Sequence, residues 1–195
     1  METQTFIFFG QVGSGKGTQV KLLMDFLKKR DGKDQIYIST GVLYRKLIES
    51  GNYTGSLVKT SLEKGVLQPD FLTTSMVAGV LMDSLDTDKH LLTDGYPRTV
   101  TQSEAIEAMM KFYKRKNVKI IYIELSEEEA TKRNMLRGRT DDTEEGLRQR
   151  FNEYKNNVIP AMNYFKEKEG YEIYTINGEQ PIEEVHNDII KALNL

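Results

Sequence analysis

Near its start the chain runs Thr5-Phe-Ile-Phe-Phe9 straight into Gly10-Gln-Val-Gly13-Ser-Gly15-Lys16-Gly17-Thr18. The short apolar run reads as a buried strand. Beyond the lysine, Val20, Leu23, Met24 and Leu27 follow the i, i+3, i+4, i+7 spacing of an amphipathic helix. Strand, glycine-rich loop, lysine and helix in this order build a cradle for an anion. Glycines let backbone N–H groups come close to it, and the helix N-terminus adds a positive dipole end. Lys16 supplies a point charge for β- and γ-phosphates. The Ser or Thr that usually follows such a lysine, and whose hydroxyl holds Mg²⁺, is replaced here by Gly17, with Thr18 one place later. GTPases, ATPases and small-molecule kinases all use such a loop, so it specifies the anion and not the reaction. The guanine-reading Asn-Lys-x-Asp pattern is absent, which argues against a GTPase.

Four further β-rich runs follow: Gln35–Ile38, His90–Thr93, Lys119–Leu125 and Tyr171–Ile176. Stretches of helical period separate them. This alternation predicts an α/β fold of the P-loop NTPase type, a five-stranded parallel sheet with helices on both faces. The gap from Thr40 to Lys89 is almost wholly helical in pattern and has room for a small inserted unit of two to three helices. Thr101-Gln-Ser-Glu104 and Ser126-Glu-Glu-Glu129 have capping-box spacing, and Pro181 suits a first helical position. Pro160 is expected to kink or divide the helical stretch from Asp142 to Lys168.

Composition removes several function classes. The 27 basic and 29 acidic residues leave a formal net charge of −2, so no global field favours nucleic acid or an anionic membrane. The basic stretch Lys111–Lys119 reads as a solvated helix end, where cations meet the negative dipole. Cysteine is absent, which excludes disulfides, thiolate zinc sites and cysteine nucleophiles, and two histidines are too few for a histidine-rich metal site. No run approaches the roughly 20 apolar residues of a membrane span. A cytoplasmic location is expected.

Positive charge is instead concentrated by residue type. Six of the nine arginines are Arg45, Arg98, Arg133, Arg137, Arg139 and Arg150. Arginine offers phosphate a rigid bidentate fork that lysine lacks. His90-Leu-Leu-Thr93-Asp94 is an apolar strand ending in a carboxylate, placed to hold Mg²⁺ through water. Gly95-Tyr96-Pro97-Arg98 follows at the carboxyl edge of the sheet, where α/β ligands bind. Arg133 and Arg137 share a helix face. Salt bridges to Asp141, Asp142, Glu144 and Glu145 are the plain alternative for the late arginines, although such surface pairs contribute little.

In this order the motifs resemble those of the adenylate kinase family among the nucleoside monophosphate kinases, in a short-lid or nearly lidless form. The matching elements are Gly10–Thr18, Ile38-Ser-Thr-Gly-Val-Leu-Tyr-Arg45, Gly65-Val-Leu-Gln-Pro-Asp70, Asp94-Gly-Tyr-Pro-Arg-Thr-Val-Thr-Gln102, and Gly138-Arg-Thr-Asp-Asp142 with Arg150. The resemblance implies one domain: a core of residues 1–38 and 85–195, a helical NMP-binding insertion at about 39–84 and a minimal lid at about 133–142. It implies an ATP site at Gly13, Ser14, Gly15, Lys16, Gly17 and Thr18, with Arg133 or Arg137 against the adenine and phosphates. The loop from Gly178 to Gln180 would read the ATP base. An AMP site is implied at Thr40, Arg45, the backbone of Val66, Leu67 and Gln68, Gly95, Tyr96, Pro97, Arg98 and Gln102. Arg139 and Arg150 match arginines that bridge the two nucleotides, and Lys16, Arg98, Arg137, Arg139 and Arg150 would carry the catalytic charge.

Related UMP/CMP kinases have Ala where this chain has Thr40, and Asn-type chemistry where it has Gln102. An amide bonds adenine bidentately, so AMP is the expected acceptor. UMP or CMP, and a non-catalytic nucleotide sensor, are the alternatives. Val12 stands where the family usually has Pro, Val42 where it has an acid, and only Gly138 separates Arg137 from Arg139. The implied enzyme is a monomer that takes ATP with Mg²⁺ and AMP, uses no zinc, and gives two ADP. Its partners are these nucleotides, with no nucleic acid and no membrane.

Overall fold

A computed structural model of the chain describes residues 2–137 and 143–195. The five strands are β1 (Thr5–Phe9), β2 (Gln35–Ser39), β3 (His90–Asp94), β4 (Val118–Glu124) and β5 (Tyr171–Asn177), all parallel, in the order β2-β3-β1-β4-β5. The helices among the described residues are α1 (Lys16–Asp31), α2 (Thr40–Glu49), α3 (Tyr53–Glu63), α4 (Asp70–Ser84), α5 (Val100–Phe112), α6 (Glu127–Arg137), α7 (Glu144–Glu153), α8 (Ile159–Asn163) and α9 (Ile182–Ala192). Among the described residues, no helix is long and apolar enough to cross a membrane.

Strand period explains the two-faced packing. Along β1, Ile7 and Phe9 face a core built with Val77 and Leu81 of α4, Ile106 and Met110 of α5, and Ala161, Met162 and Phe165. Phe6 and Phe8 face the other core, with Val20, Leu23 and Leu27 of α1 and Val185 and Ile189 of α9. The apolar side chains of β1 are at most 2% exposed, and burial of each stabilises by about 1.5–3 kcal/mol. A central parallel strand therefore reads as a continuous apolar run.

Helix ends follow local chemistry, with two corrections to the expected starts. Asn52 caps α3 by accepting the Gly55 N–H, and Thr143 caps α7 by accepting that of Gly146. Ser126 accepts the Glu129 N–H at the start of α6, as its capping-box spacing predicts. At α5 the cap is Thr99 and not Thr101, because Thr99 alone is extended (φ −133°, ψ 162°) with its hydroxyl on the Gln102 N–H. Pro181 precedes α9 as its cap, one place earlier than expected. Pro160 divides its helical stretch: α7 passes into a π-helical turn, Tyr154–Val158, where the Ile159 N–H bonds Tyr154 O.

At the amino end of β3, His90 is fully buried. Its Nδ1 accepts the Gln4 N–H at 3.0 Å and its Nε2 faces Asp31 Oδ2 at 3.1 Å. Burial pulls the imidazole below its usual pKa despite the nearby Asp31. Burial would raise Asp31, but the Lys33 N–H, Arg30 and His90 together hold its carboxyl below the usual range.

Candidate functional site

The glycine loop lies between β1 and α1 at the carboxyl edge of the sheet. Gly13 has φ +85°, and a Cβ there would stand 2.5 Å from Asn134 Nδ2 and 3.0 Å from Ala130 O, so α6 closes the loop from behind. Gln11 Nε2 ties the loop to Leu125 O at 2.6 Å. Val12 packs against Leu125, Ala130, Leu147 and Phe151. Lys16 Nζ donates to Gly10 O at 2.7 Å, Gln11 O at 2.8 Å and Ser14 Oγ at 3.3 Å, which holds the ammonium inside the curve of the loop. Gly15 caps α1, and Gly17 and Thr18 lie in its first turn, whose N–H groups point out of the helix end.

Parallel register places a carboxylate beside this cradle. Phe8 of β1 pairs with Asp94 of β3. Asp94 Oδ2 accepts from Tyr37 OH at 3.4 Å and lies 3.6 Å from where a Gly17 Cβ would stand. Burial, with Asp94 adding to it, pushes the Tyr37 hydroxyl up to about 12. Among the described residues no group of three or more His, Cys, Asp or Glu side chains could hold a metal. One carboxylate facing a phosphate cradle still suits Mg²⁺, which keeps several waters and takes the rest of its oxygens from substrate phosphates.

A second, open-mouthed pocket lies toward α2, α3 and α4 and is lined by Tyr44, Leu62, Val66, Leu67, Gln68, Thr73, Arg98 and Gln102. Tyr44 OH and Thr73 Oγ1 are 2.5 Å apart at its wall. Gln68 accepts from Ser61 Oγ at 2.8 Å. The turn after β3 supports the opening: Thr93 Oγ1 donates to Tyr96 O at 2.9 Å, and the Tyr96–Pro97 bond is cis. Arg98 Nε donates to Gly95 O at 2.8 Å, and Thr40 Oγ1 donates to the same carbonyl at 3.1 Å. The guanidinium of Arg45, one turn into α2, lies near Gly41, whose Cβ would sit 3.5 Å from Nη1.

Gln102, only 2% exposed, is already engaged by the protein. Its Oε1 accepts the Arg98 N–H at 2.8 Å and its Nε2 donates to Asp70 Oδ1 at 2.8 Å. One lone pair and one N–H of the amide are left over.

The late arginines divide. Arg133 is paired with Glu129 at 2.8 Å and donates to Gly178 O at 2.9 Å, which joins α6 to the loop before α9. In that loop Gln180 Nε2 donates to Asp188 Oδ2 at 2.8 Å and to Asn177 O at 3.1 Å. Arg137 ends α6; its side chain and residues 138–142 of the expected lid, Arg139 among them, lie outside the described residues. Arg150, on α7, lies against Gly65, next in the chain to Val66 of the second pocket. A Cβ on Gly65 (φ +72°) would lie 3.2 Å from Arg150 Cγ and 2.6 Å from Gly146 O. The glycine thus lets α7 dock directly on the loop that leads to Val66, Leu67 and Gln68.

Tyr37 and Asn134 belong to none of the matching motifs, and Tyr44 and Asp70 stand within them without an assigned role. Each reaches the site from another element, and spacing along the chain carries no sign of that.

The chain is similar to known proteins over nearly its whole length. The family model described as adenylate kinase matches residues 8–170. An adenylate kinase of Flavobacterium psychrophilum is 31% identical over 193 residues, covering 96% of this chain and 97% of that protein. One from Corynebacterium diphtheriae is 33% identical over 187 residues, covering 96% and 97%. One from Bacteroides fragilis is 33% identical over 192 residues, again covering 96% and 97%. On these matches, and with the five-stranded parallel sheet and its phosphate loop, the chain belongs to the adenylate kinase family.

Proposed function

We propose that the protein catalyses ATP + AMP ⇌ 2 ADP by reversible in-line transfer of the γ-phosphoryl group. One observation carries the reading. Adjacent, in-register strands β1 and β3 set a phosphate loop beside an arginine-bearing turn that opens on a second pocket. Two anionic substrates held at these places would meet over Asp94. Such a pair resists meeting, since two unit charges at 4 Å and an effective dielectric of 20 repel by about 4 kcal/mol. Concentrated positive charge offsets that repulsion and stabilises the charge spreading over the transferring group.

In this reading Gly13, Ser14, Gly15, Gly17 and Thr18 hold the ATP phosphates, and Lys16 exchanges its loop carbonyls for the β- and γ-phosphates. Arg133, Arg137 and the Gly178–Gln180 loop serve the ATP nucleoside end. Thr40, Arg45, the Val66–Gln68 backbone, Gly95, Tyr96, Pro97, Arg98 and Gln102 form the AMP site. Arg139 and Arg150 span the two nucleotides. Asp94 would hold Mg²⁺ through its water shell, and the bound ion would supply charge neutralisation at the β- and γ-oxygens. The acceptor is an ionised phosphate oxygen, so no side chain need act as general base.

Residues 1–38 and 85–195 are read as the core, 39–84 as the NMP-binding insertion and 133–142 as a minimal lid. With so short a lid, water exclusion falls to the helices that bear the arginines. The protein is read as a cytoplasmic monomer without zinc, nucleic acid or membrane partners. A coupled assay of ADP formation from ATP with AMP, UMP, CMP and GMP tests the reading. AMP as the fastest acceptor supports it, and faster turnover with UMP or CMP replaces it.

A further inference from the structure

We infer that Asp70 is a positioning residue that sets the purine selectivity of the acceptor site, by fixing which way round the Gln102 amide sits. The inference rests on the reading of the second pocket as the AMP site. Asp70 opens α4, 32 residues before Gln102 in the chain. Its Oδ1 accepts from Gln102 Nε2 at 2.8 Å and from Thr99 Oγ1 at 2.9 Å. Thr99 Oγ1 in turn accepts the Gln102 backbone N–H at 3.2 Å, which closes a ring of bonds around the first turn of α5. At the other end of the amide, Oε1 accepts the Arg98 N–H at 2.8 Å.

Turning the amide over would set Oε1 against a carboxylate oxygen and Nε2 against a backbone N–H. Both contacts would be repulsive, and in a side chain 2% exposed no water relieves them. The amide therefore has one orientation. Its remaining lone pair and remaining N–H are offered to the pocket in a fixed order.

That order matters at position 6 of a purine. Adenine carries an amino donor there, with a ring-nitrogen acceptor on either side, so each edge offers a donor next to an acceptor. Hypoxanthine has the same size but an oxygen at that position and a protonated N1. One edge is then reversed and the other presents two acceptors. A freely turning amide would serve either base, whereas the locked amide serves the 6-amino purine and rejects the 6-oxo one. Arg98 N–H is one half of the lock and Asp70 is the other.

Steady-state kinetics with ATP as donor and AMP or IMP as acceptor test this for wild type, Asp70→Asn and Asp70→Leu. Asn can itself turn over and so permits both amide orientations at that end, while Leu removes the acceptor outright. The expected result is a fall in the AMP-to-IMP ratio of kcat/KM, by about tenfold or more in Asp70→Leu and by less in Asp70→Asn. The change should lie in the KM of the acceptor, with the KM of ATP unmoved. A merely structural role would lower both acceptors together, so a ratio unchanged in both variants overturns the inference. Side-chain amide NMR of Gln102 in the nucleotide-free protein reads the lock without turnover. A slowly exchanging amide pair that loses protection in Asp70→Leu supports it, and rapid exchange in wild type overturns it. A wild-type protein that phosphorylates neither acceptor refutes the functional reading and the selectivity with it.

Discussion

Replacing Gly65 by alanine tests how the fold couples to the site. Two costs are expected. The first is conformational: φ is +72°, and a Cβ in the left-handed region costs about 1–2 kcal/mol. The second is steric, since the new Cβ would lie 2.6 Å from Gly146 O and 3.2 Å from Arg150 Cγ. The carbonyl belongs to helix backbone and gives way only if α7 shifts as a unit, an overpacking cost of about 1–3 kcal/mol. The total is about 2–5 kcal/mol, or a fall in Tm of roughly 4–20 °C for a protein of this size. Gly32→Ala is the matched control, because Gly32 has φ +71° and nothing within 4 Å of its Cβ position. Urea unfolding of both variants isolates the contact: Gly65→Ala should exceed Gly32→Ala by about 1–3 kcal/mol at unchanged m. Because Arg150 rides on the displaced helix, Gly65→Ala should also lower kcat while Gly32→Ala leaves it alone. Equal destabilisation by the two substitutions would refute the docking of α7 on this loop.

Other consequences are simpler to measure. Arg98→Ala should lower kcat/KM for AMP by about 100-fold or more while far-UV circular dichroism and the unfolding midpoint stay near wild type. Chelation of divalent ions with EDTA should abolish ADP formation, and added Mg²⁺ should restore it. Asn52→Ala removes the cap of α3, where Oδ1 accepts the Gly55 N–H at 2.7 Å, and should cost about 1 kcal/mol in urea unfolding. The pKa of His90 lies below the ordinary value of 6.5 in the fold. The unfolded chain therefore binds that proton first, so the stability tied to neutral His90 is complete above pH 6.5 and is lost as pH falls through the folded value. The difference in unfolding free energy between wild type and His90→Gln should shrink as pH is lowered from 8 to 5, and a constant difference would contradict the buried neutral imidazole.

What could be read from residue order was what depends on local pattern. The strands are legible because each is a short β-rich apolar run between helical stretches, and β1 and β3 both begin where the pattern puts them. The phosphate loop is legible because its strand, glycines, lysine and helix are consecutive. Where two local patterns compete, order alone does not choose. Thr99-x-x-Gln102 and Thr101-x-x-Glu104 both have capping spacing, and Thr99 is the cap that also donates to Asp70, 29 residues away. Pro160 signalled a break, but the preceding π-helical turn needed the register of the whole helix. The engagement of Thr40 with Gly95 and of Gln102 with Asp70 was hidden for the same reason, as was the docking of α7 on Gly65. These contacts join elements that only the folded sheet brings together.

Phosphorus NMR of the protein with Mg²⁺, ATP and AMP tests the central claim most directly, because transfer and hydrolysis leave different products. The account predicts that ATP and AMP disappear together, one for one, as two ADP appear. Release of inorganic phosphate from ATP with AMP left intact would contradict it, and would show a phosphate loop that cleaves ATP without an acceptor in the second pocket.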